Sequence, residues 1–343
     1  MILDGHNDQA IATAAQALQA GELVGLPTET VYGLAADASN PAAVAKIFAA
    51  KGRPSDHPLI VHVADASGVA HFASEVPAFA AQLIQAFWPG PLTLILPRRP
   101  EVGAQAAGGQ DSIGLRCPSH PVAHALLRAA RALGVQGVAA PSANQFGRVS
   151  PTTAAHVQGE FGADLLILDG GACEVGIEST LIDCTRGAPV LLRPGSISRA
   201  QVQQVCGIQL LSKEELLTLA TPAPRASGML ESHYAPKAKV RLMDAAALQT
   251  ALDLLGSNQG LGSVGGDTPL VPMIAVYARV RVRCASPLVL YQQMPVNAVA
   301  VAQELFAVLR ELDGQGVKLI WIETPSDTPE WEGVRDRLQR AAA

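Results

Sequence analysis

Lys51 and Arg53 stand two positions apart in "KGRPSDHPLIVHV", residues 51–63, and Pro54 follows them directly. Proline fixes its own φ and restricts the residue before it, so this loop holds a compact ammonium and a forked guanidinium in one place. Such a pair suits a polyphosphate or a carboxylate. The plainer alternative puts both cations at a helix end, where they complement the dipole. His62, inside the apolar run that closes the stretch, is either a satisfied core side chain or a ligand contact.

Five further stretches carry side chains of related kinds. "PTETVYGLAADA" (27–38) sets two threonines and a tyrosine beside Gly33, where hydroxyls either serve the turn or face a ligand. In "DSIGLRCP" (111–118), Arg116 interrupts an apolar segment and needs an anionic partner if it is buried. "APSANQFGRVSPT" (140–152) follows a strand and combines Ser142, Asn144 and Ser150 with the small residues Ala140, Ala143 and Gly147. That is a hydroxyl-rich turn able to cradle phosphate without a Walker lysine. "GIESTLIDC" places Ser179 and Thr180 just before a strand, and "LLRPG" places Arg193 before a proline. There is no Walker A sequence, HExxH, zinc-knuckle spacing or nucleophile elbow, and no obvious general base. Cations and hydroxyls without a base suit chemistry run by positioning and charge stabilisation, as in phosphoryl or nucleotidyl transfer.

The elements that must position these loops alternate along the first part of the chain. "QAIATAAQALQAG" and "HPVAHALLRAARALG" have helical spacing and end at Gly21 and Gly134, and "PAAVAKIFAAKG" opens on Pro41 as a helix start. "ELVGLP", "PLIVHVA", "PLTLILP", "VQGVAAPSA", "ADLLILDGG", "STLIDCT" and "PVLLRPG" read as strands. Strands outnumber helices and are not all joined by them, so a mixed, twisted α/β sheet is expected. The proline-punctuated segment at about 212–237 reads as a linker. Beyond it, strand "AKVRLM", helix "DAAALQTALDLLG" with Asp244 as N-cap, strand "MIAVYARV", a long amphipathic helix, strand "VKLIWIE" and a last helix indicate a small parallel-sheet domain. "GLGSVG" at 260–265 matches G-x-G-x-x-G literally. It follows a helix rather than a strand and runs into "DTPLVPM", so a loop is expected there and not a dinucleotide site.

Composition agrees with a globular protein of two domains: 343 residues, 49% hydrophobic, 16% charged and a formal net charge of −5. Residues 1–211 carry 16 acidic against 12 basic side chains and the remainder 14 against 13, so neither part is a basic body that binds nucleic acid by charge alone. Five scattered cysteines without CxxC spacing point to reduced thiols. The N-terminal residues lack a signal-peptide pattern and no apolar run reaches membrane-spanning length, which gives a cytoplasmic expectation.

In order, "PTETVYGL", "KGRP" with "HPLIVHV", "FWPGPLTLIL", "IGLRCP", "APSAN", "GIESTLID" and "LLRPG" resemble the YrdC-type threonylcarbamoyl-AMP synthases over about residues 10–205. "SGMLESHYAPKA" and the domain after it resemble the long form of that family. The resemblance implies a YrdC-like catalytic domain at 1–211, a linker and lid at 212–237, and a Rossmann-like C-terminal domain at 238–343. It implies formation of L-threonylcarbamoyladenylate and pyrophosphate from ATP, L-threonine and bicarbonate or CO2, with Mg2+ as the phosphate counterion and no protein ligand to the metal. The product would pass to a separate transferase complex that modifies adenosine beside the anticodon of some tRNAs.

Carried over residue by residue, Thr30, His62, Arg116, Ser179 and backbone at Ala140 resemble the L-threonine contacts, with Arg116 pairing the carboxylate. Arg53, His57, Ser112, Ser142, Ser150 and Arg193 resemble the nucleotide contacts, and Tyr234 the lid over the nucleotide. Lys51 with Arg53, and Ser142 with Asn144, resemble the K-x-R and S-x-N pairs that hold phosphate and carbamate charge. Asparagine is commoner than histidine at position 57, although an imidazole also donates a hydrogen bond. Two other readings compete. One is carbamoyl transfer through carbamoyl-adenylate, whose proteins carry zinc-finger cysteines and an acylphosphatase segment absent from this sequence. The other is an RNA-binding module using Lys51, Arg53, Arg116, Arg148 and Arg193, which the acidic balance reduces to a weak secondary property.

Overall fold

Short apolar runs set off by proline, glycine and polar residues fold as short strands, and the Ala-rich stretches between them as helices. The structure, a computed structural model, describes residues 1–212, 215, 234–257, 273–284 and 286–343. The chain divides into two units, Met1–Phe146 with Ser150–Leu230, and Gly147–Val149 with Glu231–Ala343. The short stretch 147–149, which from sequence lies within the first domain, therefore groups with the second unit.

The first unit begins with β1 (Ile2–Asp4), α1 (Asp8–Gln19), β2 (Val24–Leu26), β3 (Gly33–Asp37), α2 (Pro41–Lys51) and β4 (Ile60–His62). It continues through α3 (Val69–Phe72), α4 (Ala78–Phe87), β5 (Leu92–Pro97), β6 (Ser112–Arg116), α5 (Pro121–Ala132) and β7 (Val138–Ala139). Then come α6 (Ala154–Phe161), β8 (Leu166–Asp169), β9 (Thr180–Asp183), β10 (Val190–Arg193), α7 (Arg199–Cys206) and β11 (Leu211–Ser212). The sheet has eleven described strands in the order β1-β8-β2-β3-β7-β4-β6-β5-β9-β10-β11, and it is mixed: β4 runs parallel to β6, which runs antiparallel to β5. The proline corner expected at "FWPG" contains a cis Trp88–Pro89 bond.

Local chemistry fixes the ends that matter. The Asn40 side chain accepts from the Ala42 and Ala43 N–H groups, Pro41 opens α2, and Gly52 ends it in the left-handed region at φ 62°. Lys51 is thus the last helical residue.

Alternation along the strands decides what each sheet face carries. Leu34, Val61, Leu115, Leu94 and Ile182 lie in one buried cluster with side chains of α2, α4 and α7. On the opposite face, α1 and α5 bury Leu18, Leu126 and Leu127 against Val24, Leu26, Val138 and Leu168. His62 pairs with Val138 on one side and with Arg116 on the other. The face that is apolar over β2, β7 and β8 therefore turns polar at β4, β6 and β5, where it presents His62, Arg116 and Thr93.

The second unit holds β12 (Lys239–Met243), α8 (Ala245–Ser257), β13 (Ile274–Ala278), β14 (Val289–Gln293), α9 (Ala298–Gly314), β15 (Leu319–Glu323) and α10 (Glu332–Ala342). Its strands form a parallel sheet in the order β12-β15-β13-β14. Asp244 caps α8, accepting the Ala247 N–H at 2.7 Å. Strand β14 has no clear sequence signal: "VLYQQ" lies at the sheet edge, half-buried to exposed, and neither alternates nor forms an apolar run. At the carboxyl edge, Glu323 accepts the Arg279 and Val280 N–H groups at 2.7 and 3.0 Å and pairs with the Arg279 guanidinium at 2.8 Å. The "GLGSVG" stretch and most of the linker, 216–233, lie outside the described residues.

Candidate active site

Arg116 is buried, and its three kinds of nitrogen are engaged. NH1 donates to Thr30 Oγ1 at 2.7 Å, NH2 meets Glu29 Oε1 at 2.6 Å, and Nε donates to the Gly90 carbonyl at 3.3 Å. The anionic partner that a buried arginine requires is Glu29, itself 3% exposed. Thr28 Oγ1 donates to the Val31 carbonyl at 2.6 Å, so the contact of 3.0 Å between the two threonine hydroxyls is donated by Thr30. Thr30 is thereby oriented with its oxygen towards Arg116. Tyr32 points elsewhere, donating to the Gly171 carbonyl at 2.8 Å. Of the hydroxyls in "PTETVYGL", Thr30 faces the arginine, Thr28 serves its own turn and Tyr32 ties to the segment after β8.

His62 stands beside Arg116 in register, buried, and its Nδ1 has no hydrogen-bond partner among the described residues. Burial, with the Arg116 charge second, pushes its imidazole down to about 3. The ring is therefore neutral at neutral pH. In the unfolded chain it titrates near 6.5, so between these values the folded state binds fewer protons. This contribution makes stability rise with pH from about 3 to about 6.5 and then level off. In urea unfolding at stepped pH, His62→Asn should lose less stability than the parent on acidification over that range. Equal acid losses in both proteins would remove the assignment.

Lys51 is also buried, and its Nζ donates to the carbonyl of Ser142 at 2.6 Å and to that of Asn144. Its own carbonyl accepts the Phe146 N–H at 2.9 Å. The K-x-R and S-x-N pairs are therefore one cluster in which the lysine braces the backbone of the other loop. Burial, and then the neighbouring Arg53 charge, hold the Lys51 ammonium well below its usual pKa. Arg53 donates to the Pro58 carbonyl at 2.9 Å and lies 5.8 Å from the Phe146 ring centroid, which His57 also approaches edge-on at 5.6 Å.

Ser150 donates to Glu178 Oε1 at 2.5 Å. The next residue, Ser179, shares a hydrogen bond of 2.7 Å with Thr93 and accepts from Arg193 at its carbonyl (3.1 Å from Nε, 3.0 Å from NH2) and at Oγ (3.2 Å). A residue expected to touch threonine is thus bonded to one expected to touch nucleotide. Thr180, by contrast, ties the start of β9 to the segment after β10, donating to the Ile197 carbonyl at 2.9 Å. The Ala140 N–H donates to Ile60 at 2.9 Å. Ser112, half-buried, begins β6 four residues before Arg116 on the same strand face.

Tyr234 and Arg148 belong to the second unit. Tyr234 is fully buried there, its ring 5.3 Å from Phe306 and 5.5 Å from the Arg337 guanidinium. Three residues that complete the site are missing from the sequence-based set: Glu29, Thr93 and Glu178. A signal existed for the two acids. Each is an isolated carboxylate in a hydroxyl-rich, otherwise uncharged turn, and buried arginines need such partners. Thr93 carries none, since a threonine within "PLTLIL" reads as a strand residue.

Comparison with known proteins follows the same division. The family profile described as Telomere recombination matches residues 16–195, and that described as Threonylcarbamoyl-AMP synthase, C-terminal domain, matches 197–343. The threonylcarbamoyl-AMP synthase of Bacillus subtilis is 38% identical over 338 residues, covering 98% of this chain and 94% of the relative. The chain belongs to the threonylcarbamoyl-AMP synthase family. A second such synthase, from Pyrococcus abyssi, is 43% identical over 235 residues, 68% of each chain. The crystal structure of P. abyssi Sua5 complexed with L-threonine superposes with a TM-score of 0.85 at 34% identity, covering 100% of this chain and 97% of that one. A double variant of the same Sua5 gives a TM-score of 0.87 at 32% identity, covering 100% and 96%.

Proposed function

We propose that this member of the synthase family forms L-threonylcarbamoyladenylate and pyrophosphate from ATP, L-threonine and bicarbonate or CO2. The observation that carries this is the adjacent pair Glu178 and Ser179. Glu178 is bonded to Ser150 and Ser179 to Arg193, which ties the nucleotide-type contacts to the strand face bearing Arg116 and His62.

The threonine carboxylate meets the remaining N–H groups of Arg116: NH1 keeps one donor beyond Thr30, and NH2 is ion-paired with Glu29 without a hydrogen bond to it. His62, neutral because it is buried, offers Nδ1 without adding positive charge, which suits an amine that must be unprotonated to react. The amine nitrogen bonds to the carbon of CO2 and loses a proton to solvent, giving a carbamate; from bicarbonate the same carbamate forms as water leaves. A carbamate oxygen then bonds to the α-phosphorus as the bond from that phosphorus to the pyrophosphate oxygen breaks, and pyrophosphate departs with the electron pair. Lys51, Arg53 and Arg193 stabilise the charge gathered on phosphate and carbamate, and Ser112, Ser142, Asn144, Ser150 and His57 orient the nucleotide. An arriving polyphosphate adds negative charge beside Lys51, whose ammonium is held below its usual pKa by burial and then by Arg53.

Mg2+ enters in this proposal with ATP, on its phosphates; among the described residues no group of three or more His, Cys, Asp and Glu is placed to hold a metal. The product passes to a separate tRNA-modifying transferase complex, and RNA binding is at most a weak secondary property. The proposed location is the cytoplasm; among the described residues no helix is long and apolar enough to cross a membrane. Incubation with ATP, L-threonine and bicarbonate, each omitted in turn, tests the reaction. Pyrophosphate release should require all three. Release that ignores threonine, or salt-dependent RNA binding with no ATP turnover, would exclude it.

A further inference from the structure

The loop from Ala140 to Thr153 carries Ser142, Asn144 and Ser150, yet its middle residues, Gly147–Val149, belong to the second unit. Its two stems are braced by groups of the first unit. Lys51 holds the carbonyls of Ser142 and Asn144, Glu178 holds Ser150, and the Tyr32 N–H donates to the Pro151 carbonyl at 2.9 Å. The tip is held differently. The Gly147 carbonyl accepts the Ala235 N–H at 3.0 Å, Arg148 and Ala235 form a parallel bridge, and the Arg310 guanidinium donates to the Val149 carbonyl. Gly147 adopts φ 81°, a left-handed turn that brings the tip backbone to these partners.

Both grips trace to one helix. Arg310 lies four residues after Phe306 on α9, so the two side chains share a helix face. Phe306 carries the ring of Tyr234, the residue joined to Ala235, and Tyr234 is the one non-glycine among the described residues with positive φ, 62°. Arg337 of α10 also lies over that ring, 5.5 Å from its centroid. A strained backbone persists only where its surroundings determine it, and here Phe306 and Arg337 do so. Helix α9 thus fixes Ala235 through Tyr234 and fixes Val149 directly.

We propose that Arg310 is a positioning residue for the adenylating site. It clamps Gly147–Val149, the tip of the loop whose stems carry Asn144 and Ser150. A charge-assisted hydrogen bond to a backbone carbonyl holds one peptide in place, and Ser150 follows that peptide directly.

Because this role rests on the activity proposed above, the parent enzyme is assayed first, in the full chain. With Arg310→Ala, kcat/KM for ATP should fall about tenfold while KM for L-threonine changes less than about twofold. Arg310→Lys, which keeps a donor, should recover part of the loss. Amide hydrogen exchange should accelerate at residues 145–150 and stay unchanged in α9. Three outcomes overturn the clamp: parent-like kinetics for ATP, unchanged exchange at 145–150, or a loss that affects both substrates alike and follows a lowered unfolding midpoint in both variants. No pyrophosphate release from the parent would remove the activity itself, and the clamp with it.

Discussion

Lys51→Ala and Arg53→Ala should each lower threonine- and bicarbonate-dependent pyrophosphate release by about a hundredfold or more, as loss of a preorganised charge donor does. For Lys51 two effects add. The ammonium is withdrawn from the phosphates, and the carbonyls of Ser142 and Asn144 lose their buried donor, which frees the loop they define. For Arg53 the expected loss is chiefly electrostatic and geometric. Its fork is fixed against the Pro58 carbonyl and the Phe146 ring, so Arg53→Lys should restore charge without restoring much activity. Steady-state pyrophosphate assays decide the point. Near-parental turnover in both alanine variants would refute a phosphate-holding role for the pair.

The largest effect on stability should come from Glu29→Ala. It leaves the Arg116 guanidinium buried at 4% exposure with its carboxylate partner gone, and breaking such a pair from one side costs about 3–5 kcal/mol. Glu29→Gln should cost less, because the amide keeps the side chain's volume and its oxygen dipole beside the guanidinium. Both should raise the KM for L-threonine, since Arg116 would no longer be held in place. Urea unfolding followed by circular dichroism, together with threonine titration, measures these outcomes. A loss below about 1 kcal/mol for the alanine variant, typical of an exposed pair, would show that Glu29 does not support Arg116.

Much of the fold is legible in the sequence because its signals are local. "PLTLILP" becomes β5 (Leu92–Pro97), "PAAVAKIFAAKG" becomes α2 with Pro41 at its start, and the Asp244 cap lies where its side chain implies. What escapes depends on partners remote in sequence. β1 exists because Ile2–Asp4 pairs with β8, and β14 because β13 offers an edge. The site divides in the same way. Arg116, Arg193, Ser179 and Lys51 carry chemistry that residue type reveals, whereas Thr93 gains its part only because β5 lies beside β9. Sequence likewise shows Gly147–Val149 as the middle of one loop; that these residues group with the C-terminal unit depends on Ala235 and Arg310, far along the chain.

The order of strands in the first sheet has a consequence for biosynthesis. β5 sits between β6 and β9, so until residues 180–183 have left the ribosome the apolar segment "LTLIL" presents a bare edge. Glu178, Ser179 and Arg193 emerge in that same late portion of the first unit. Nascent or prematurely terminated chains ending before it would therefore be catalytically silent and prone to aggregate together, and quality control would meet both defects in a single species.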